Sequence, residues 1–268
     1  MKFFDRPAKI KASFGTTLKG SEYEDLSELQ HIYPIIPAAR SEKGWWDKMK
    51  KHFFIEQWGR PDYKEPTMKY CPGVFDYTNC GYIVPCLFDM NFIVRGEDQN
   101  IMWQIPEGIP QKWIMSHDQR QVDSCPIAHG KNTGLGVVKV TTPWWWETPK
   151  GWSTIITKPF YNYSNDFDVC PGILDTDLPH LSNHLINVFL RFNVVDKDII
   201  FRAGQPLCQL IPFKRQNTKL ILTDEPNEKS KKLIREGFVR RKSRFTDNPN
   251  VTGKTLLKHR DPSTKKYE

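Results

Sequence analysis

Asp175, Asp177, His180 and His184 fall within ten residues of one another. Two carboxylates and two imidazoles can in principle hold a divalent cation. Pro179 disturbs any helix that would bring the two histidines onto one face, so the simpler reading is a hydrated hairpin loop, and no metal ligand is assigned. Trp144, Trp145 and Trp146 stand in a row. Exposed indole faces stack on sugars, bases or prolines. The alternative is that these rings cover the open end of a sheet and pack on a helix carrying Trp45. No G-x-S-x-G or Walker loop is present, no H-x-D with a distant matching His marks an iron site, and no cofactor is expected.

These residues need strands to position them. Leu185, Asn187, Phe189, Arg191 and Asn193 alternate with Ile186, Val188, Leu190, Phe192 and Val194. One fully apolar face at period two predicts a half-buried strand with Ile186, Val188, Leu190 and Phe192 in the core. Asp196-Lys197-Asp198 breaks it, residues 199–202 form a second short strand, Gly204 supplies the turn, and 207–213 form a third. The three read as a small antiparallel meander. Upstream, 152–160 is a strand, 141–152 a proline-bracketed aromatic turn, and 81–96 two strands around Asp89. Trp45, Met49 and Phe53 recur at four-residue spacing and predict a helix from Ser41 to about Trp58.

The composition suits this plan. Nine Trp, nine Tyr and sixteen Phe beside twenty Pro in 268 residues fit an aromatic-packed β structure punctuated by turns. Three parts are expected: an N-terminal arm at 1–40, a β-rich domain at 41–213 opening with a Trp-rich helix, and a basic helix and tail at 214–268. That last segment holds sixteen Lys and Arg against seven Asp and Glu, whereas residues 1–213 hold 23 against 24. Asn227 is a candidate helix cap. Arg240, Arg241, Lys242 and Arg244 are the candidate contacts to nucleic acid or an acidic partner; the competing reading is a solvated face on a docked amphipathic helix. No apolar run reaches bilayer length, and the N-terminus has no continuous apolar stretch, so a protein made and kept in a cytoplasm is expected. The six cysteines contain no C-x-x-C pair and are expected to be reduced.

The order G-I-L-D-T-D from Gly172, a strand ending at Asn193, and A-G-Q-P-L-C-Q-L-I-P-F to Phe213 resembles the second half of the dUTPase and dCTP deaminase family. The resemblance covers about 149–213 and implies a β-clip fold. It assigns Asp175 to the hairpin carboxylate that activates water in that family. It also makes Lys158 and Gln209 candidate ligand-binding residues, beside Asp177 from the hairpin cluster and Trp144, Trp145 and Trp146 from the ring-stacking reading. The departures are large. Lys158-Pro159 stands where the family has a phosphate-holding Arg-Ser pair, and Leu178 where an aromatic ring stacks on the sugar. The glycine-rich closing arm and the deaminase glutamate have no counterpart.

Over about 41–240 the longer arrangement is similar to a family of bacterial and tailed-phage proteins without an assigned activity. Its marks here are the Trp-rich segment, Asn79-Cys80-Gly81-Tyr82 and the P-x-G-W strand. The sequence therefore points to a non-enzymatic β-clip protein for binding or assembly, in a phage particle or an infected cell. A nucleotide-binding or nucleotide-hydrolysing enzyme using Asp175 is the first alternative, and a nucleic-acid-associated protein the second. Family enzymes are commonly trimers, so a homo-oligomer or a larger complex is expected.

Overall fold

The computed structural model describes residues 8–15, 26–57, 60–95, 101–116, 137–162, 164–178, 185–222 and 227–232, with only the backbone for 54–57 and 60–65. The chain divides into two compact units, Met1–Arg215 and Gln216–Glu268.

The first unit is mainly β. Its strands are β1 (Lys11–Phe14), β2 (Ile36–Pro37), β3 (His52–Gln57), β4 (Arg60–Pro66) and β5 (Tyr82–Pro85). They continue as β6 (Met90–Val94), β7 (Ile101–Gln104), β8 (Ile114–Ser116), β9 (Val137–Glu147) and β10 (Trp152–Thr157). The last five are β11 (Phe167–Val169), β12 (Gly172–Leu174), β13 (Leu185–Phe192), β14 (Lys197–Phe201) and β15 (Pro206–Lys214). Among the described residues of this unit three short α-helices interrupt them: α1 (Leu29–Ile32), α2 (Trp45–Lys48) and α3 (Pro72–Asn79). One sheet runs β1-β9-β13-β11, with β8 also on β9; a second runs β12-β10-β15-β5-β2; a third is β14-β6-β7; and β3-β4 is a hairpin. All of these pairings are antiparallel.

The period-two reading of β13 holds. Ile186, Val188, Leu190 and Phe192 are each at most 1% exposed, while the residues between them are half-buried. The meander does not form. β13 pairs with β9 and β11, β14 with β6, and β15 with β10 and β5, so three consecutive strands enter three different sheets. Asp196 at φ 53° and Gly204 at φ 81° lie in the two connections. Phe92 of β6 lies 5.0 Å from Phe192 and 5.7 Å from Phe201, and Phe167 lies 4.6 Å from Phe201. A core shared by three sheets thus replaces one packed under a meander.

Two further expectations are corrected. The proline-bracketed stretch 141–147 is the second half of β9, not a turn. The register against β13 shifts there, from Thr141↔Asn187 to Trp145↔Leu185, so Pro143 sits in a bulge where no ladder N–H is required. The Thr142 hydroxyl donates to the Ile186 carbonyl across it at 3.1 Å. The Ser41–Trp58 helix shrinks to the single turn α2. Met49 takes extended backbone, and the β-favouring His-Phe-Phe-Ile that follows pairs with β4. Trp46, rather than Trp45, is the buried ring of that turn, and it packs edge-on against Phe160.

Two Cys-Pro-Gly triplets fold differently. Pro72 opens α3 at its first turn, where its missing N–H costs nothing, whereas Gly172 begins β12. Cys71, Cys80, Cys86 and Cys208 are free thiols. Burial pushes the Cys86 and Cys208 thiols far above their ordinary value. Among the described residues no helix is long and apolar enough to cross a membrane.

In the second unit, residues 228–232 are helical, and the Asn227 side chain accepts the Ser230 N–H at 2.9 Å, as a cap should. Arg240, Arg241, Lys242 and Arg244 lie outside the described residues.

Candidate functional site

The register of three strands builds the site. β12 pairs Leu174 with Thr154, so Asp175 emerges beside Ser153 at the start of β10. On the other side β15 pairs Lys214 with Trp152, and the next residue, Arg215, donates its backbone N–H to Gly151 at 2.8 Å. Gly151 has φ 83°, a conformation that glycine takes without strain. Asp175, Asp177, Ser153 and Arg215 are thereby brought together at one end of the second sheet.

Their polar atoms are mutually committed. One guanidinium nitrogen of Arg215 donates to Asp175 Oδ1 at 2.9 Å and to Ser153 Oγ at 2.9 Å. The Ser153 hydroxyl donates to the same Oδ1 at 2.7 Å. The other nitrogen reaches Asp177 Oδ2 at 2.5 Å, where the Gly151 N–H also donates at 2.7 Å. Asp175 is open to solvent, with 58% of its side chain exposed, whereas Asp177 is 1% exposed. The hydrogen bond from Arg215 holds the Asp177 carboxyl below the ordinary carboxylate range against its burial, and Asp177 in turn raises Arg215. Beneath them, Thr176 Oγ1 meets Thr148 Oγ1 at 2.7 Å and Thr154 Oγ1 at 3.0 Å, and the Trp146 indole N–H donates to Thr154 at 3.0 Å.

The other candidate residues lie elsewhere. Lys158 follows the far end of β10, five positions beyond Ser153. It turns inward, donating to the carbonyls of Ser164 at 2.7 Å and Phe167 at 2.5 Å, and it lies 3.4 Å from Asp168. Burial lowers its pKa, partly opposed by Asp168. Burial works against Asp168 too, but hydrogen bonds from Asn193 and Arg191 and the Lys158 charge bring it below its ordinary value. Gln209 is fully buried and donates to the carbonyls of Tyr77 and Cys80 at 2.8 Å each, closing the C-terminal end of α3. Trp144 and Trp146 are buried, packing edge-on with Phe14 and Tyr82, and Trp145 is half-buried. Trp45 and Trp46 of the α2 turn pack against Phe160, tilted and edge-on respectively. His180 and His184 lie outside the described residues, among which no three His, Cys, Asp or Glu side chains gather to hold a metal ion.

Arg215 is the member that sequence reasoning missed. Its signal was available, since it follows the strand that pairs with β10, but it sat in a segment read only for its summed charge.

No family model and no curated protein matches the sequence. Solved structures do, dUTPases among them. The EIAV enzyme is 13% identical over 55% of this chain and 87% of its own, with a TM-score of 0.31. A dUTPase of the S. aureus phage phi11 is 10% identical over 56% and 87%, with a TM-score of 0.30. The dUTPase of Staphylococcus bacteriophage 80alpha is 8% identical over 56% and 79%, with a TM-score of 0.27. The mainly-β, antiparallel organisation stands on this chain's own strand pairings.

The Asp177–Arg215 contact carries a pH dependence with a defined sign. A carboxylate whose folded pKa is depressed stabilises the fold above its unfolded value, about 3.9, and that stabilisation disappears as pH falls through the folded value. Asp177→Asn is therefore less stable than the parent at pH 7, and the gap closes below about pH 4. Urea midpoints at the two pH values measure it; a gap that persists in acid points to packing instead.

Proposed function

We propose that this chain is a non-enzymatic binding or assembly protein on a dUTPase-like β-clip, encoded by a phage and acting in the particle or the infected cell. The observation that carries the reading is the commitment of the site's polar groups. Asp175 Oδ1 already accepts two hydrogen bonds, and Asp177 is buried against the same arginine. A general base must be free to take a proton from water, and this Asp175 oxygen is already held by the Ser153 hydroxyl at 2.7 Å and the Arg215 guanidinium at 2.9 Å. Lys158 and Gln209 likewise spend their donors on backbone carbonyls.

The assembly half of the reading draws on surface chemistry. Leu220, Ile221 and Leu222 are 81%, 72% and 85% exposed in succession. Three consecutive large apolar side chains in open solvent suit an extended segment that a second copy or a partner covers. Light scattering of the full chain is expected to give a homo-oligomer with little dependence on salt. A monomer at all concentrations counts against it, and association with nucleic acid that weakens steeply with salt would favour the basic segment instead.

One observation favours the enzymatic alternative: Asp175 is the exposed carboxylate of the cluster, with a hydroxyl beside it. Turnover decides between the two.

A further inference from the structure

A cleft of about 530 Å³ opens between the 32–44 segment, the end of β5, the loop after β10 and the turn before β15. Its size falls in the range of small-molecule sites. Its walls are tied together. β2 pairs with β5, the Ala38 N–H donates to the Gly81 carbonyl at 2.9 Å, and Asn162 Nδ2 donates to the Pro206 carbonyl at 3.0 Å. Ser41 Oγ and Tyr161 Oη share a hydrogen bond of 2.6 Å, and the Trp45 indole N–H donates to the Tyr161 carbonyl at 2.8 Å. Ile36, Ile83 and Pro85 supply an apolar wall.

Lys43 lines the cleft and is 5% exposed. Its ammonium has three donors, and one of them reaches the Ser41 carbonyl at 3.0 Å. Among the described residues no carboxylate forms an ion pair with it. Asp47 is instead held by the Lys43 backbone N–H at 2.7 Å. Burial lowers the Lys43 pKa, and Asp47 opposes that only in part. The Tyr161 ring centroid lies 5.9 Å from the ammonium; a buried cation in direct contact with no carboxylate is costly, and fixing one carbonyl does not require a charge. Exposed Arg40 adds a second cation to the lining, where Glu42 is also present.

We propose that this cleft binds a small organic oxyanion, a carboxylate or a phosphate ester, whose headgroup takes the free N–H donors of Lys43 while its apolar body lies on Ile36, Ile83 and Pro85. The site is separate from the Asp175 cluster and stands whether or not the chain assembles.

Isoleucine methyl NMR of the full chain, titrated at constant ionic strength and pH 7 with benzoate, phenyl phosphate and neutral benzamide, tests it. Saturable shifts at the Ile36 and Ile83 methyls are expected with at least one anion, with binding at least tenfold tighter than benzamide. Response to benzoate alone identifies a carboxylate site, and response to phenyl phosphate alone a phosphate-ester site. Lys43→Met is expected to weaken the anion at least tenfold. No saturable shift with either anion, equal response to benzamide, or unchanged affinity in Lys43→Met overturns the proposal. Should the variant fail to fold, the comparison of anion with amide on the parent protein decides it.

Discussion

Gly81→Ala is expected to cost about 4 kcal/mol or more and to leave little folded protein at moderate urea. Gly81 has φ 72°, and a Cβ there would overlap the Leu210 carbonyl oxygen and lie 3.0 Å from its carbon and 3.1 Å from Ile211 Cα. Those atoms belong to β15, which pairs with β5 in the register Leu210↔Tyr82, so relief requires parting two strands inside a five-stranded sheet. The conformational part alone is worth about 1–2 kcal/mol, so the overlap dominates. Gly108 separates the two contributions. It has φ 87° with nothing within 4 Å of its would-be Cβ, and Gly108→Ala should lose only the smaller amount. Equal urea midpoints for the two variants would show that β5 and β15 do not approach as described.

Phe192→Ala should cost about 3–5 kcal/mol, the range for truncating a buried aromatic. Its ring is fully buried and lies 5.0 Å from Phe92, where β6 of one sheet faces β13 of another. Leu185→Ala, on the half-buried face of the same strand, should lose on the order of 1 kcal/mol. Chemical denaturation of the pair checks which face is inward, and a larger loss at Leu185 would reverse the assignment.

What could be read from the sequence, and what could not, follows from the range of the forces involved. The inward face of β13 was legible because alternation is a local property, and so was the cap at Asn227. The sheet that each strand joins is decided by distant partners, so β13, β14 and β15 looked like neighbours although each pairs elsewhere. The Trp45, Met49 and Phe53 spacing imitated a helix because a four-residue repeat carries no information about β4, the strand that pairs with 52–57. Pro143 suggested a turn, since the bulge that accommodates it exists only against β13. At the site, Asp175 and Asp177 were legible as a pair. Arg215, forty residues from Asp175, becomes their partner only through the pairing of β10 with both β12 and β15.

The same ion pair gives the fold a reason to keep Asp175 without catalysis. Removing either partner leaves the other charge near a sheet end where Asp177 is already buried. A structural carboxylate and a catalytic one therefore make different demands on the same variant. The direct test is pyrophosphate release from dUTP, dCTP and the other deoxynucleoside triphosphates, measured on the parent protein and on Asp175→Asn in parallel with their urea midpoints. The account predicts no release above background from either protein and a lower midpoint for the variant. Release by the parent that disappears in a folded Asp175→Asn protein would contradict it and make the chain an enzyme.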